Sequence, residues 1–112
     1  MISDLSEKFL TLAVNTIKFC KNLPRSIESD IIIKQLIRSA TSIGANYQES
    51  QKSYSRKEFF QKISLALKEA NESQYWIKIL KRLNYQTVGI ENDIDEAVKI
   101  LSSIISKKKQ NP

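Results

Sequence analysis

Residues that end regular structure are scarce in this sequence: its 112 positions hold only two glycines and two prolines, and one proline is Pro112. Glycine and proline are the strongest local breakers, so interruptions are few and the segments between them read as long helices. Pro24 marks the first interruption. It disfavours helix at Leu23, and Ser26 can cap the segment that follows. The second lies at Lys52-Ser53-Tyr54-Ser55, where Ser55 and Glu58 have capping-box spacing and Tyr54 and Phe59 occupy the two positions of a hydrophobic staple. The third runs from Asn84 to Asp93, with Gly89 free to turn left-handed and Asn92 or Asp93 able to cap a last helix. These breaks predict helices over about 4–22, 27–52, 56–84 and 93–108 within a single domain spanning 1–112. A polar, lysine-rich tail over 107–112 is expected to fray, although its lysines also suit a helix C-terminus.

Helical periodicity supports each segment. Leu5, Phe9, Leu12, Ala13, Thr16, Ile17 and Cys20 share one face of the first, and Ile32, Ile33, Leu36, Ile37, Ala40, Ile43, Gly44 and Tyr47 one face of the second. Ile90, Ile94, Ala97, Val98, Leu101, Ile104 and Ile105 form the stripe of the last. Four amphipathic helices with short links predict an all-α, antiparallel up-and-down four-helix bundle. The third helix carries two apolar stripes. Phe59, Ile63, Ala66, Leu67, Ala70 and Ile77 make one, while Leu65, Trp76, Ile79 and Leu83 lie mostly opposite. One core does not bury both, so the second stripe is expected at a subunit interface; the alternative is packing beneath a neighbouring helix or loop of the same chain.

Residue types exclude much chemistry. There is no histidine and one cysteine, Cys20, so an internal disulfide, a Cys/His zinc site and an imidazole-dependent triad are all ruled out. Phosphate-binding glycine loops are missing. Glu69 and Glu72, with Glu49, are the one arrangement resembling a carboxylate metal bundle, but such sites take Glu-x-x-His. A Glu near Trp76, held by Lys34 or Arg38 or by neighbouring Ser and Asn groups, is the expected arrangement instead. We therefore expect no catalytic residues, metal or cofactor, and read Cys20 as a buried small apolar residue. The first ten residues lack a basic segment followed by an apolar run, and no stretch approaches the length of a membrane span, so the expected location is the cytoplasm.

Eighteen Lys and Arg against twelve Asp and Glu give a net charge of +6, which suggests an acidic partner. On the second helix Lys34, Arg38, Thr41, Ala45, Gln48 and Lys52 line up in one strip. On the third, Lys57, Lys68, Tyr75 and Arg82 fall within about 40° of one another, beside Ser64 and Asn71. Cations interleaved with an aromatic suit phosphates and a stacked base, so these residues are the candidate RNA or DNA surface; an ordinary solvated helix face is the competing reading. Assembly would favour the first by repeating each strip and adding weak contacts through effective concentration. An interfacial membrane helix ranks behind both, because every apolar stripe already has a partner helix or a predicted interface.

The run Gln35-Leu36-Ile37-Arg38-Ser39-Ala40-Thr41-Ser42-Ile43-Gly44-Ala45-Asn46-Tyr47-Gln48-Glu49-Ser50 resembles the signature of the small four-helix-bundle proteins encoded in intervening sequences of bacterial 23S ribosomal RNA genes. Ser55-Arg56-Lys57-Glu58-Phe59 and the segment from Ile63 to Trp76 resemble the third helix of that family. The family is similar in turn to the accessory variability determinant of diversity-generating retroelements. The resemblance implies a ring-shaped homopentamer without enzymatic activity that binds nucleic acid, with a reverse transcriptase or other protein as a further partner. A protein-interaction adaptor whose charge serves solubility is the alternative. Within the motif, Ser42, Asn46 and Glu49 are spaced to stack on adjacent turns. With Phe59 and Glu72 they are expected to be architectural, Asn46 satisfying a partner across a close helix contact.

Overall fold

The computed structural model describes residues 2–110, with side chains placed from 5 to 108. Four helices follow one another: α1 (Ile2–Lys21), α2 (Ile27–Ser50), α3 (Arg56–Arg82) and α4 (Val88–Gln110). Each packs on its neighbours in a closed circuit, most extensively between α2 and α3 and most thinly between α1 and α4. The resulting rod measures 46 × 21 × 21 Å. Phe9, Leu36, Ile43, Ile63, Ile77, Leu80, Ile94 and Leu101 fill its axis with almost no exposure. The expected all-α four-helix bundle is therefore present.

Local chemistry explains the helix ends. Ser26 caps α2 as expected: its hydroxyl accepts from the Ser29 amide at 3.0 Å, and the Ser29 hydroxyl accepts from the Ser26 amide at 2.8 Å. Ser55 caps α3 by accepting from the Glu58 amide at 3.0 Å. The expected staple does not form, because the Tyr54 side chain is 98% exposed.

The largest departure lies at the third link. α4 begins at Val88 rather than near 93, so Gly89, Asn92 and Asp93 sit inside the helix, and the left-handed residue is Asn84, with φ 71°. Asn84 ends α3 in a Schellman arrangement: its amide donates to the Lys81 carbonyl at 3.0 Å, and the Tyr85 amide to the Leu80 carbonyl at 3.1 Å. Asparagine tolerates this conformation better than other residues with a Cβ. At the other end, α4 continues through the lysines to Gln110, so the tail expected to fray is helical as far as it is described. Residues 111 and 112 lie outside the described range.

Two close contacts set the helix spacing. A Cβ built on Gly44 of α2 would lie 3.3 Å from the Phe9 Cβ of α1, and Phe9 meets Tyr47 edge-on at 5.3 Å between ring centroids. Between α2 and α3, the fully buried Ser39 and Ser73 share a hydroxyl hydrogen bond of 2.7 Å. Phe59, half-buried, packs against the core at the start of the α3 stripe as expected, and its neighbour Phe60 is buried too. The circuit closes where Lys8 of α1 pairs with Glu96 of α4 at 2.7 Å.

Candidate nucleic-acid interface

The two helices with the largest shared contact also carry both basic strips. Lys34 and Arg38 are exposed on α2, and Lys57, Lys68, Tyr75 and Arg82 on α3; α2 ends at Ser50 rather than 52, so the exposed Lys52 stands on the link. Among the described residues, none of Lys34, Lys57, Lys68 and Arg82 has a carboxylate within ion-pair reach. Lys52 lies near enough to Glu49 to favour its charged form.

Arg38 is differently placed. Its guanidinium reaches across to α3, meeting Glu69 at 3.3 Å and bonding to Glu72, while Gln35 accepts from its Nε at 3.2 Å. The indole Nε1 of Trp76 donates to the same Glu72 oxygen at 2.9 Å. The expected pairing of a glutamate near Trp76 is thus made by Arg38, and Lys34 stays in solvent. Arg38 is committed to the seam before any outside anion arrives.

That seam also bears on the second apolar stripe of α3. Trp76 and Ile79 are half-buried against the chain's own core, as the alternative reading allowed, whereas Leu65 and Leu83 remain 42% and 46% exposed. Side chains as small as Ser39 and Ser73 let α2 approach α3 closely, which shelters the inner half of the stripe. The acidic and apolar seam runs between the two basic strips, so they form two tracks rather than one sheet of charge.

The motif residues of α2 make contacts within the chain. The Asn46 side-chain amide donates to the Ser42 carbonyl at 2.9 Å, and the Ser42 hydroxyl to the Arg38 carbonyl at 2.7 Å. Asn46 therefore does not reach across to another helix as expected; its own helix satisfies it. Glu49 does cross, pairing with Lys62 of α3 at 2.8 Å. The Lys62 hydrogen bond and charge hold the Glu49 carboxyl below its ordinary range and raise the ammonium of Lys62. Among the described residues no group of three or more His, Cys, Asp and Glu is placed to hold a metal ion. Burial pushes the Cys20 thiol up to about 11.

Several surface features escaped the periodicity argument. Ile27 and Ile31 are 82% and 61% exposed at the start of α2. Counted from the Ser39–Ser73 contact along antiparallel helices, Ile31 stands level with Lys81, near the Leu83 end of α3. Leu10 and Val14 are exposed on α1, one turn apart. Each position lies outside its helix's main stripe and gave no local signal.

Four amphipathic helices closed around one core, with a serine-lined contact between α2 and α3 and glutamates tied across it, define a small all-α bundle protein. The chain belongs to the family described as 23S rRNA-intervening sequence protein, which matches residues 3–107. It is also similar to a protein of unknown function from the S23 ribosomal protein family of Bacteroides thetaiotaomicron, known from a crystal structure. The two are 41% identical, the match covers 89% of this chain and 96% of that one, and the TM-score is 0.81. No curated protein matches the chain. Among the described residues no helix is long and apolar enough to cross a membrane.

Proposed function

We propose that this chain is a non-enzymatic accessory protein of the cytoplasm that binds RNA or DNA as a basic homopentameric ring. The observation that carries the reading is the pair of cation tracks on the outer faces of α2 and α3: Lys34, Lys57, Lys68 and Arg82 are exposed without a carboxylate partner among the described residues, and the exposed ring of Tyr75 lies between Lys68 and Arg82 along α3. Cations left free of internal acids are available to displace counterions from a phosphate backbone, and an aromatic among them offers a stacking face.

Assembly is supported by exposed apolar residues on different parts of the rod, Leu65 on α3 with Leu83 at its C-terminal cap, and Leu10 and Val14 on α1. A closed ring needs two unlike patches that meet head to tail. A reverse transcriptase as protein partner belongs to the same proposal. The neutralisation of Arg38 by Glu69 and Glu72 favours a second reading, an adaptor that docks through its apolar surface and leaves nucleic acid alone.

The test is a titration of the full chain against single-stranded and duplex nucleic acid at two salt concentrations, with mass determined in solution. Salt-sensitive binding that a combined Lys57, Lys68 and Arg82 charge reversal weakens supports the proposal. An absence of binding at low salt leaves the adaptor. A single-chain mass at micromolar concentration refutes the ring.

A further inference from the structure

At the end of the rod where α2 hands over to α3, segments far apart in sequence converge. The link carries Lys52, Ser53, Tyr54 and Ser55, α3 opens with Arg56 and Lys57, and the last turns of α4 bring Lys107 and Lys108. Phe60 fixes this convergence. The Arg56 guanidinium carbon lies 5.0 Å from its ring centroid and the Lys108 ammonium nitrogen 5.7 Å, so cations from two helices stand over one aromatic of the core.

Beside them Tyr54 is, among the described residues, the most exposed large apolar or aromatic side chain. It stabilises nothing in the folded chain through packing. Among the described residues, Glu49 is engaged by Lys62 and Glu58 also acts on Lys62, so neither is paired with Lys52, Lys57, Lys107 or Lys108. A water-exposed ring on a link flanked in sequence by hydroxyls and cations is therefore the prominent feature of this end.

The geometry points to this end as a binding site for single-stranded nucleic acid, with Tyr54 stacked on one base and Lys52, Lys57, Lys107 and Lys108 holding the flanking phosphates. The inference rests on the nucleic-acid reading above and gives it a place and a strand form. A duplex keeps its base faces inside the stack, so a ring on a projecting link finds a π-face only on an unpaired strand. A membrane surface rewards several bulky apolar groups inserted together, and the sequence neighbours of Tyr54, from Lys52 to Lys57, are polar or charged.

The experiment uses the full chain and a labelled single-stranded oligonucleotide, its duplex, and a strand with abasic positions, followed by fluorescence anisotropy. Tyr54→Ala should weaken single-strand binding about five- to a hundredfold, Tyr54→Phe should restore it, and neither should alter binding to the abasic strand. Replacing Lys107 and Lys108 together with alanine should lower the slope of log affinity against log salt by about 1.4. Thermal melting of Tyr54→Ala should match the parent, because the ring packs on nothing.

If the parent binds strand and Tyr54→Ala binds equally well, while Lys68→Glu with Arg82→Glu abolishes binding, this site is refuted and the nucleic-acid reading stands. If the parent binds no strand at low salt, both fall. Tyr54-dependent binding to phosphatidylserine vesicles, without strand binding, overturns the site in favour of a membrane surface.

Discussion

The buried hydroxyl pair between α2 and α3 makes a quantitative prediction. Ser73 donates to the Glu69 carbonyl at 2.9 Å, whereas the Leu36 carbonyl available to Ser39 lies at 3.3 Å. The better proton order therefore runs from Ser39 to Ser73 to Glu69. Ser39→Ala leaves Ser73 its donor bond and empties only an acceptor site; Ser73→Ala leaves a buried Ser39 hydroxyl with the long Leu36 contact. An unmade buried hydrogen bond costs about 1–2 kcal/mol, and alanine returns roughly 0.5 kcal/mol of helix propensity per site. Ser73→Ala should thus destabilise by about 1–1.5 kcal/mol and Ser39→Ala by about 0.5–1 kcal/mol. Removing both hydroxyls leaves no orphan, so the double variant should fall within about 0.5 kcal/mol of the parent, a coupling of about 2 kcal/mol. The assay is urea unfolding of all four proteins at one fixed protomer concentration, since assembly would otherwise shift the midpoints. Additive single effects, or a double variant weaker than either single, would refute the reasoning.

Three further outcomes follow from other sites. Asn84→Gly should keep or slightly raise stability, whereas Asn84→Val should lower the melting free energy by about 1–2 kcal/mol, because φ 71° crowds a β-branched side chain. Cys20 should resist alkylation in the folded chain at pH 8 and react on unfolding. Its folded value of about 11 lies above the ordinary 9.0, so its contribution to stability is full below about pH 9 and is lost as pH rises towards about 11, a trend that Cys20→Ala should remove in alkaline melting curves. For Glu49 the sign is opposite. Its folded value is depressed by Lys62, so the stability it contributes is present above the unfolded carboxyl value and lost as pH falls through the folded one; Glu49→Gln should flatten the acid limb of a stability profile.

How far the sequence discloses this molecule depends on which forces are local. Ser26 and Ser55 announce the starts of α2 and α3 because capping acts within three residues. The start of α4 is obscured by Gly89, Asn92 and Asp93, turn-forming residue types that lie inside the helix, while Asn84 makes the turn with help from the carbonyls of Leu80 and Lys81. The glutamate beside Trp76 is legible from their four-residue spacing and the nearby cations. Selecting Arg38 over Lys34 requires the register between α2 and α3, which single-chain periodicity does not contain. Ser39 and Ser73 are hidden for the same reason: each looks merely small until the other is opposite.

The slight contact between α1 and α4 means that the two terminal helices meet across the weakest edge of the circuit. Opening motions start where the least apolar surface must be exposed, so α1 is the element most easily peeled away, with Phe9 leaving its place against Tyr47 and Gly44. Amide hydrogens of α1 should then exchange with deuterium ahead of those in the α2–α3 hairpin, which remains the last ordered part of the molecule.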